Sequence, residues 1–150
     1  MNGTVDVVFK ELTSDDVPLL RSDLLPLLRR LRPAMSDELF AELVTDGFEQ
    51  GLRYLVAYSP SGLPLAAAGY RILVTSRGRV LFVDDLVTAE ESRSRGFGAR
   101  VVDELTEVGR RAGCDRMELD SGVVNTAAHR FYLRHRFDIS AFHFARPIAP

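Results

Sequence analysis

Two short stretches of this chain hold residue types whose spacing points to chemistry. The first is Arg93-Ser94-Arg95-Gly96-Phe97-Gly98, between an apolar run over 80–87 and a helix-patterned run over 99–112. A glycine-rich turn between a strand and a helix leaves the backbone N–H groups of 95–98 unpaired, and the helix dipole adds partial positive charge at the same place. That arrangement suits a diphosphate, with Arg93 and Arg95 adding charge. Glycine at 96 and 98 keeps side chains from blocking the backbone. The second stretch is Asp84-Asp85, at the end of the preceding apolar strand. Adjacent carboxylates there are costly unless paired or solvated, so they are expected to line a cleft. Strand alternation turns the two to opposite faces unless a bulge re-aims one. The plainer alternative is an acidic rim or an internal ion pair.

The rest of the sequence excludes several classes. The chain has 150 residues, 46% apolar and 27% charged, which fits a single globular domain across 1–150. Its net charge of −2 gives no general attraction to nucleic acid or anionic lipid. No apolar run reaches the roughly 18 residues of a membrane span, and the N-terminus lacks a signal pattern. The lone Cys114 allows no internal disulfide, so a cytoplasmic protein is expected. His129, His135 and His143 are too dispersed to imply a metal site. No Gly-Lys-Ser/Thr follows the turn, so it is not a P-loop, and no third glycine completes a dinucleotide fingerprint.

The elements that must position these residues are legible from periodicity. Residues 5–9 alternate as a short strand. A helix starts at Asp15-Asp16-Val17-Pro18 and runs through Leu20, Leu24, Leu27 and Leu31, with a kink or early stop expected at Pro26. Ser36 caps a second helix that closes near Gly47 or Gly51. Strands follow over 54–58, 65–74 and 80–87 as an antiparallel meander. The helix after Gly98 ends at Gly113, and a short strand over 117–119 lies parallel to the previous one through that crossover. Residues 126–134 form a last helix, and 137–146 are extended. The clustered Arg29, Arg30 and Arg32 read as a solvated face.

The turn resembles motif A of the GNAT superfamily of acyl-CoA N-acyltransferases, Gln/Arg-x-x-Gly-x-Gly/Ala, met by Arg93, Gly96 and Gly98. A later family motif, Asn-x-x-Ala-x-x-Phe-Tyr, is met by Asn125, Ala128, Phe131 and Tyr132. The following Gly-Phe pair becomes Arg136-Phe137, so the turn after the last helix must be built without glycine.

The resemblance implies an α/β fold with a mixed central sheet of six to seven strands, about four helices, and parallel strands splayed at an acyl-CoA slot. It implies acetyl-CoA as co-substrate without a metal: the diphosphate on 93–99 (Arg93, Ser94, Arg95, Gly96, Phe97, Gly98 and Ala99), the pantetheine amides along Leu86, Val87 and Thr88, and Asn125 on the arm's other side. Tyr132 stands where the family has its general acid. Asp84 and Asp85 look like the acidic pair of polyamine acetyltransferases, and Asp120 and His143 are further candidates for substrate contact. The expected reaction is direct attack by a small, cationic amine in a ternary complex. Polyamines, aminoglycoside-like compounds, aminophosphonates and amino acids all stay open as acceptors, and so does the choice of general base. A protein or peptide acetyltransferase and a non-catalytic acyl-CoA-binding module are the rivals. Pairing through the last strands, with Phe142, Phe144 and Ile148, would make a homodimer.

Overall fold

The computed structural model describes residues 6–149, so the start of the strand expected over 5–9 lies outside the described residues. The chain divides into two compact units, residues 1–118 and 119–150.

The first unit is built on a sheet whose strands stand side by side in chain order. β1 is Val8–Leu12, β2 Arg53–Tyr58, β3 Pro64–Thr75, β4 Gly78–Thr88 and β5 Arg116–Leu119. The first four pair antiparallel. β5, reached through a helical crossover, makes the sheet mixed. Among the described residues the expected six to seven strands are five.

The first helix, α1, covers 17–31. Pro26 does not stop it, because the turn before it, Leu20–Leu24, is a π-turn. Widening the spiral by one residue puts proline at the first turn of a fresh α segment, where an N–H is not needed. That keeps Leu20, Leu24, Leu25, Leu27 and Leu28 in the core with Leu12, Tyr54, Val56 and Val87. Truncating any one of these leucines to alanine would cost about 2–5 kcal/mol.

The second helix, α2, covers 37–49 and starts as expected: the Ser36 side chain accepts from the Leu39 N–H at 3.0 Å. Arg29 at the end of α1 ties the two helices together, donating from Nε to the Met35 carbonyl at 3.2 Å and pairing with Asp37 at 2.7 Å. The arginine cluster is therefore not a bare solvated face. Helix α3, Phe97–Arg111, buries Phe97, Val101, Val102, Leu105 and Gly109 along one stripe.

In the second unit, α4 is Thr126–Arg134. Residues 137–149 form neither helix nor strand, so the extended segment expected over 137–146 adds no strand to the sheet. A strand exists by pairing, and apolar alternation alone supplies no partner. Among the described residues Phe142, Phe144 and Ile148 remain 81%, 91% and 97% exposed.

Candidate active site

The acidic pair sits on an irregularity in the β3–β4 ladder. Gly69 faces Asp85, but Tyr70 faces Val83, so Asp84 is the extra residue of a β-bulge. The bulge answers the alternation problem: both carboxylates reach groups on one face. Asp85 lies in a row with Gly69 and Tyr54 across three strands. The Tyr54 hydroxyl donates to Asp85 Oδ2 at 3.0 Å. To get there its ring crosses Gly69, where an added Cβ would stand 2.6 Å from Tyr54 Cε1. Arg71, two residues beyond Gly69 and on the same face, donates from Nε to Asp84 Oδ2 at 3.1 Å. Arg32, at the end of α1, stands 3.7 Å from Asp85 Oδ1.

These neighbours set the protonation states. Burial, then the Asp85 charge, push the Tyr54 phenol far above its usual range, so it remains a donor. Burial raises the Asp84 carboxyl above the usual aspartate value, the Arg71 guanidinium opposes that, and the Asp85 charge adds to it. A carboxylate whose proton affinity is raised in a half-buried site is better matched to taking a proton near neutral pH. Each carboxylate also has an arginine partner, so the pair is not a surplus of negative charge.

The anion turn follows a short 3-10 turn, Glu90–Ser92. Two residues adopt left-handed backbone, Ser94 at φ 62° and Gly96 at φ 82°. Gly96 caps α3, whose first ladder bond runs from the Arg100 N–H to the Gly96 carbonyl. The amides of Phe97, Gly98 and Ala99 thus lie ahead of the ladder. A Cβ on Gly96 would meet nothing within 4 Å. Its conformation, and not internal packing, calls for glycine there. Arg93 and Arg95 are exposed beside the turn, with Arg95 Cζ 5.4 Å from the Phe97 ring centroid. The donor set fits a diphosphate: amides ahead of a helix, space above the backbone, and two flanking guanidiniums.

Leu86, Val87 and Thr88 pair with Ala68, Ala67 and Ala66 on the β3 side. On the other side β5 begins near Arg79, whose carbonyl accepts the Asp115 N–H at 2.7 Å, and β5 is four residues long. It is spent well before Leu86, which leaves the end of β4 as a short edge able to pair with an extended chain.

The C-terminal unit places its candidates as follows. Asn125 caps α4, its Oδ1 accepting from the Ala128 N–H at 3.4 Å, which leaves the side-chain NH₂ to donate elsewhere. Tyr132 lies edge-on to Phe131 and Phe137, at 5.4 and 5.5 Å between ring centroids. Burial raises its phenol above the usual value, so it carries its proton at neutral pH. His129 Nε2 is 2.8 Å from the Gly122 carbonyl, a structural contact. Asp120 and His143 do come together, 3.1 Å apart and both exposed. Arg136 fills the glycine position of the motif at φ 67°, in the left-handed region.

The model of the acetyltransferase (GNAT) family matches residues 19–137. The chain belongs to the GNAT acetyltransferase family. It is an acyltransferase. It is 26% identical over 125 residues to YhdJ of Bacillus subtilis (strain 168), described as an uncharacterized N-acetyltransferase, covering 82% of this chain and 88% of that one. GNAT structures share the fold. AAC(6')-Iy, solved with a bisubstrate analog of CoA and acetylneamine, matches with TM-score 0.77 at 18% identity over 95% of this chain and 98% of that one. A ribosomal-protein-alanine N-acetyltransferase of Brucella melitensis matches with TM-score 0.78 at 16% identity over 95% of this chain and all (100%) of that one. Among the described residues no group of acidic, histidine or cysteine side chains is placed to hold a metal, and no helix is long and apolar enough to cross a membrane.

Sequence reasoning missed Tyr54, Arg71 and Arg32 as neighbours of the acidic pair. The one local signal was Gly69 inside an otherwise apolar strand, which marks a close approach by another group.

Proposed function

We propose that this protein, as one catalytic domain over its whole length, moves an acetyl group from acetyl-CoA to the amine of a small molecule by direct attack. The observation that carries the reading is the β4 bulge. It sets Asp84 and Asp85 on one face immediately before Leu86–Thr88, in the same strand that leads into the anion turn. Acid–base groups, pantetheine edge and diphosphate turn follow one another along one segment, in the order the chemistry needs.

In this reading residues 93–99 hold the diphosphate, and Leu86, Val87 and Thr88 pair with the pantetheine amides, with the Asn125 NH₂ as a further donor. Acetyl-CoA supplies the activated acyl carbon and a thiolate leaving group. A model amine with pKa about 10.4 is mostly cationic at neutral pH, so a proton must leave before attack. Asp84 takes that proton, the role its raised affinity suits, while Asp85, fixed by Tyr54, holds the ammonium beforehand. Tyr132 gives a proton to the departing sulfur. Asp120 and His143 are further candidates for contact with the acceptor. Solved neighbours whose names point to small-molecule and to protein acceptors share this fold equally well, so fold does not choose between them. The compact acidic pair favours a small amine.

The test is CoA release from acetyl-CoA across a panel of small amines and lysine peptides. Turnover with small amines is expected, with kcat in Asp84→Asn lowered about a hundredfold or more and acetyl-CoA affinity unchanged. No CoA release from any amine, with acetyl-CoA bound, overturns the reading.

A further inference from the structure

The charges around the bulge specify the acceptor further, on the footing of the acetyltransferase reading above. We propose that the acceptor is a zwitterion, an amine bearing its own acid group, with the ammonium on Asp84 and Asp85 and the acid on Arg32.

Asp84 faces Arg71 at 3.1 Å, and Asp85 faces Arg32 at 3.7 Å. Two carboxylates are matched by two guanidiniums, so the cluster exerts no net pull on a polycation. A bare diamine or an aminoglycoside would bring extra positive charge up against two arginines. A zwitterion places one charge of each sign, and so matches the cluster term by term.

The two arginines are not equivalent. Arg71 makes a direct hydrogen bond to Asp84, and its side chain is only 25% exposed. Arg32 is 60% exposed and stands beyond hydrogen-bond distance of Asp85. Asp85 does not depend on it, because the buried Tyr54 hydroxyl already donates to that carboxylate at 3.0 Å. Asp85 is only 13% exposed, but Arg32 reaches it from solvent at 3.7 Å, where the attraction is screened and adds little to the fold. Arg32 therefore has its planar fork available for a carboxylate or phosphonate. Its backbone is already placed: the Arg32 N–H donates to the Leu28 carbonyl at 2.7 Å, its carbonyl accepts from Met35 at 3.0 Å, and Arg29 anchors Met35 and Asp37. Only the side chain remains to be ordered when the acid group arrives.

The transfer balances. The ammonium gives one proton to Asp84. The amine nitrogen then bonds the acetyl carbonyl carbon, the carbon–sulfur bond breaks with its electron pair on sulfur, and the thiolate takes a proton from Tyr132. The acylated nitrogen releases its second proton to solvent, from which Tyr132 is reprotonated. The sum is one ammonium and one thioester giving one neutral amide, one thiol and the proton on Asp84. The N-acetylated product keeps its acid but has lost its positive charge, so it loses its hold on the aspartates and departs.

The experiment measures CoA release, at fixed acetyl-CoA, for matched acceptors: an amino acid against its amide, and an aminoalkylphosphonate against its neutral diester. A polyamine and an aminoglycoside complete the panel. The acid-bearing member is expected to win by about tenfold or more in kcat/KM, roughly the worth of one charged contact. The better of carboxylate and phosphonate identifies which acid is read. Arg32→Gln should reduce that preference to about twofold by raising KM for the acid alone, leaving kcat and the KM for acetyl-CoA in place, and Arg32→Lys should restore part of it. Equal or faster turnover of the amide, polyamine or aminoglycoside overturns the proposal while leaving the acetyltransferase reading standing. An unchanged preference in Arg32→Gln also overturns it. No CoA release from any acceptor overturns the acetyltransferase reading and this proposal with it.

Discussion

Gly69 and Gly96 lie on either side of the end of β4, and they are glycine for opposite reasons. At Gly69 the backbone is ordinary strand and the protein itself fills the missing side chain with the Tyr54 ring. At Gly96 the backbone is left-handed and nothing of the protein lies within 4 Å of the Cβ position. The first glycine holds a hydrogen bond in place; the second keeps a surface open. The acidic pair is thus supported from inside the fold, whereas the turn at 93–98 is shaped by its own backbone and stands open at Gly96.

The sharpest way to break this comparison is Gly69→Ala. A Cβ 2.6 Å from Tyr54 Cε1 cannot be accommodated without moving the ring, and with it the donor to Asp85. Overpacking of this kind costs about 3 kcal/mol, which lowers Tm by roughly 8 °C for a chain of this size. Thermal unfolding checks it, and an unchanged Tm would mean that the ring does not lie on Gly69.

Gly96→Ala should separate the two regions. The left-handed backbone costs an L residue about 1–2 kcal/mol, so the loss of stability is smaller than at Gly69. Acetyl-CoA binding, measured by titration calorimetry, should weaken about tenfold as a methyl group enters the space above the turn, while the KM for the amine stays put. A weakened amine with intact acetyl-CoA binding would reverse the assignment of the two sites.

The contrast also shows where the sequence was readable. The anion turn is local: the glycines, the arginines and the helix start are adjacent, so its shape followed from spacing. The acidic pair was visible as two aspartates in an apolar strand, but alternation alone turned them to opposite faces unless a bulge re-aimed one, and the spacing did not say whether there was one. What pairs with them was not visible, because Tyr54 and Arg32 arrive from elements far away in the chain, and register across three strands decides which row Asp85 joins. Pro26 misled as an early stop for a related reason. Its effect depended on whether the preceding turn could widen, which leucine periodicity does not encode. The extended C-terminal stretch over 137–146 misled because alternation reports a face and never a partner.

The acidic region can be sharpened by pH. The carboxyl of Asp84 has its folded value raised, chiefly by burial, above the value in the unfolded chain. Between those two values the folded state holds more protons than the unfolded state, so stability falls as pH rises through that window. At neutral pH the ionised Asp84 is a net cost to the fold. Asp84→Asn should therefore remove this fall from the stability-against-pH curve and leave the protein at least as stable at pH 7, even as activity is lost. Denaturant unfolding between pH 4 and pH 7 checks the slope. A variant less stable than the parent at pH 7 would show that the Arg71 pair outweighs the burial.

The smallest effect belongs to another left-handed position, Arg136, where this chain departs from the family's glycine. The end of α4 closes with the Phe137 N–H donating to the Tyr132 carbonyl at 3.0 Å and the Arg136 N–H to the Leu133 carbonyl at 3.2 Å. That pair of bonds is a Schellman motif, and its usual apolar contact is the Tyr132–Phe137 ring pair. The motif forms although Arg136 must take φ 67°, so these bonds and the ring contact outweigh the strain. Arg136→Gly relieves that strain but loosens the unfolded chain, and the two together should raise stability by about 0.5 kcal/mol. Tyr132 should keep its activity in this variant, because glycine retains the same backbone bonds under its ring. A fall in kcat with stability raised would show that the arginine side chain itself, and not only the turn it occupies, serves the reaction.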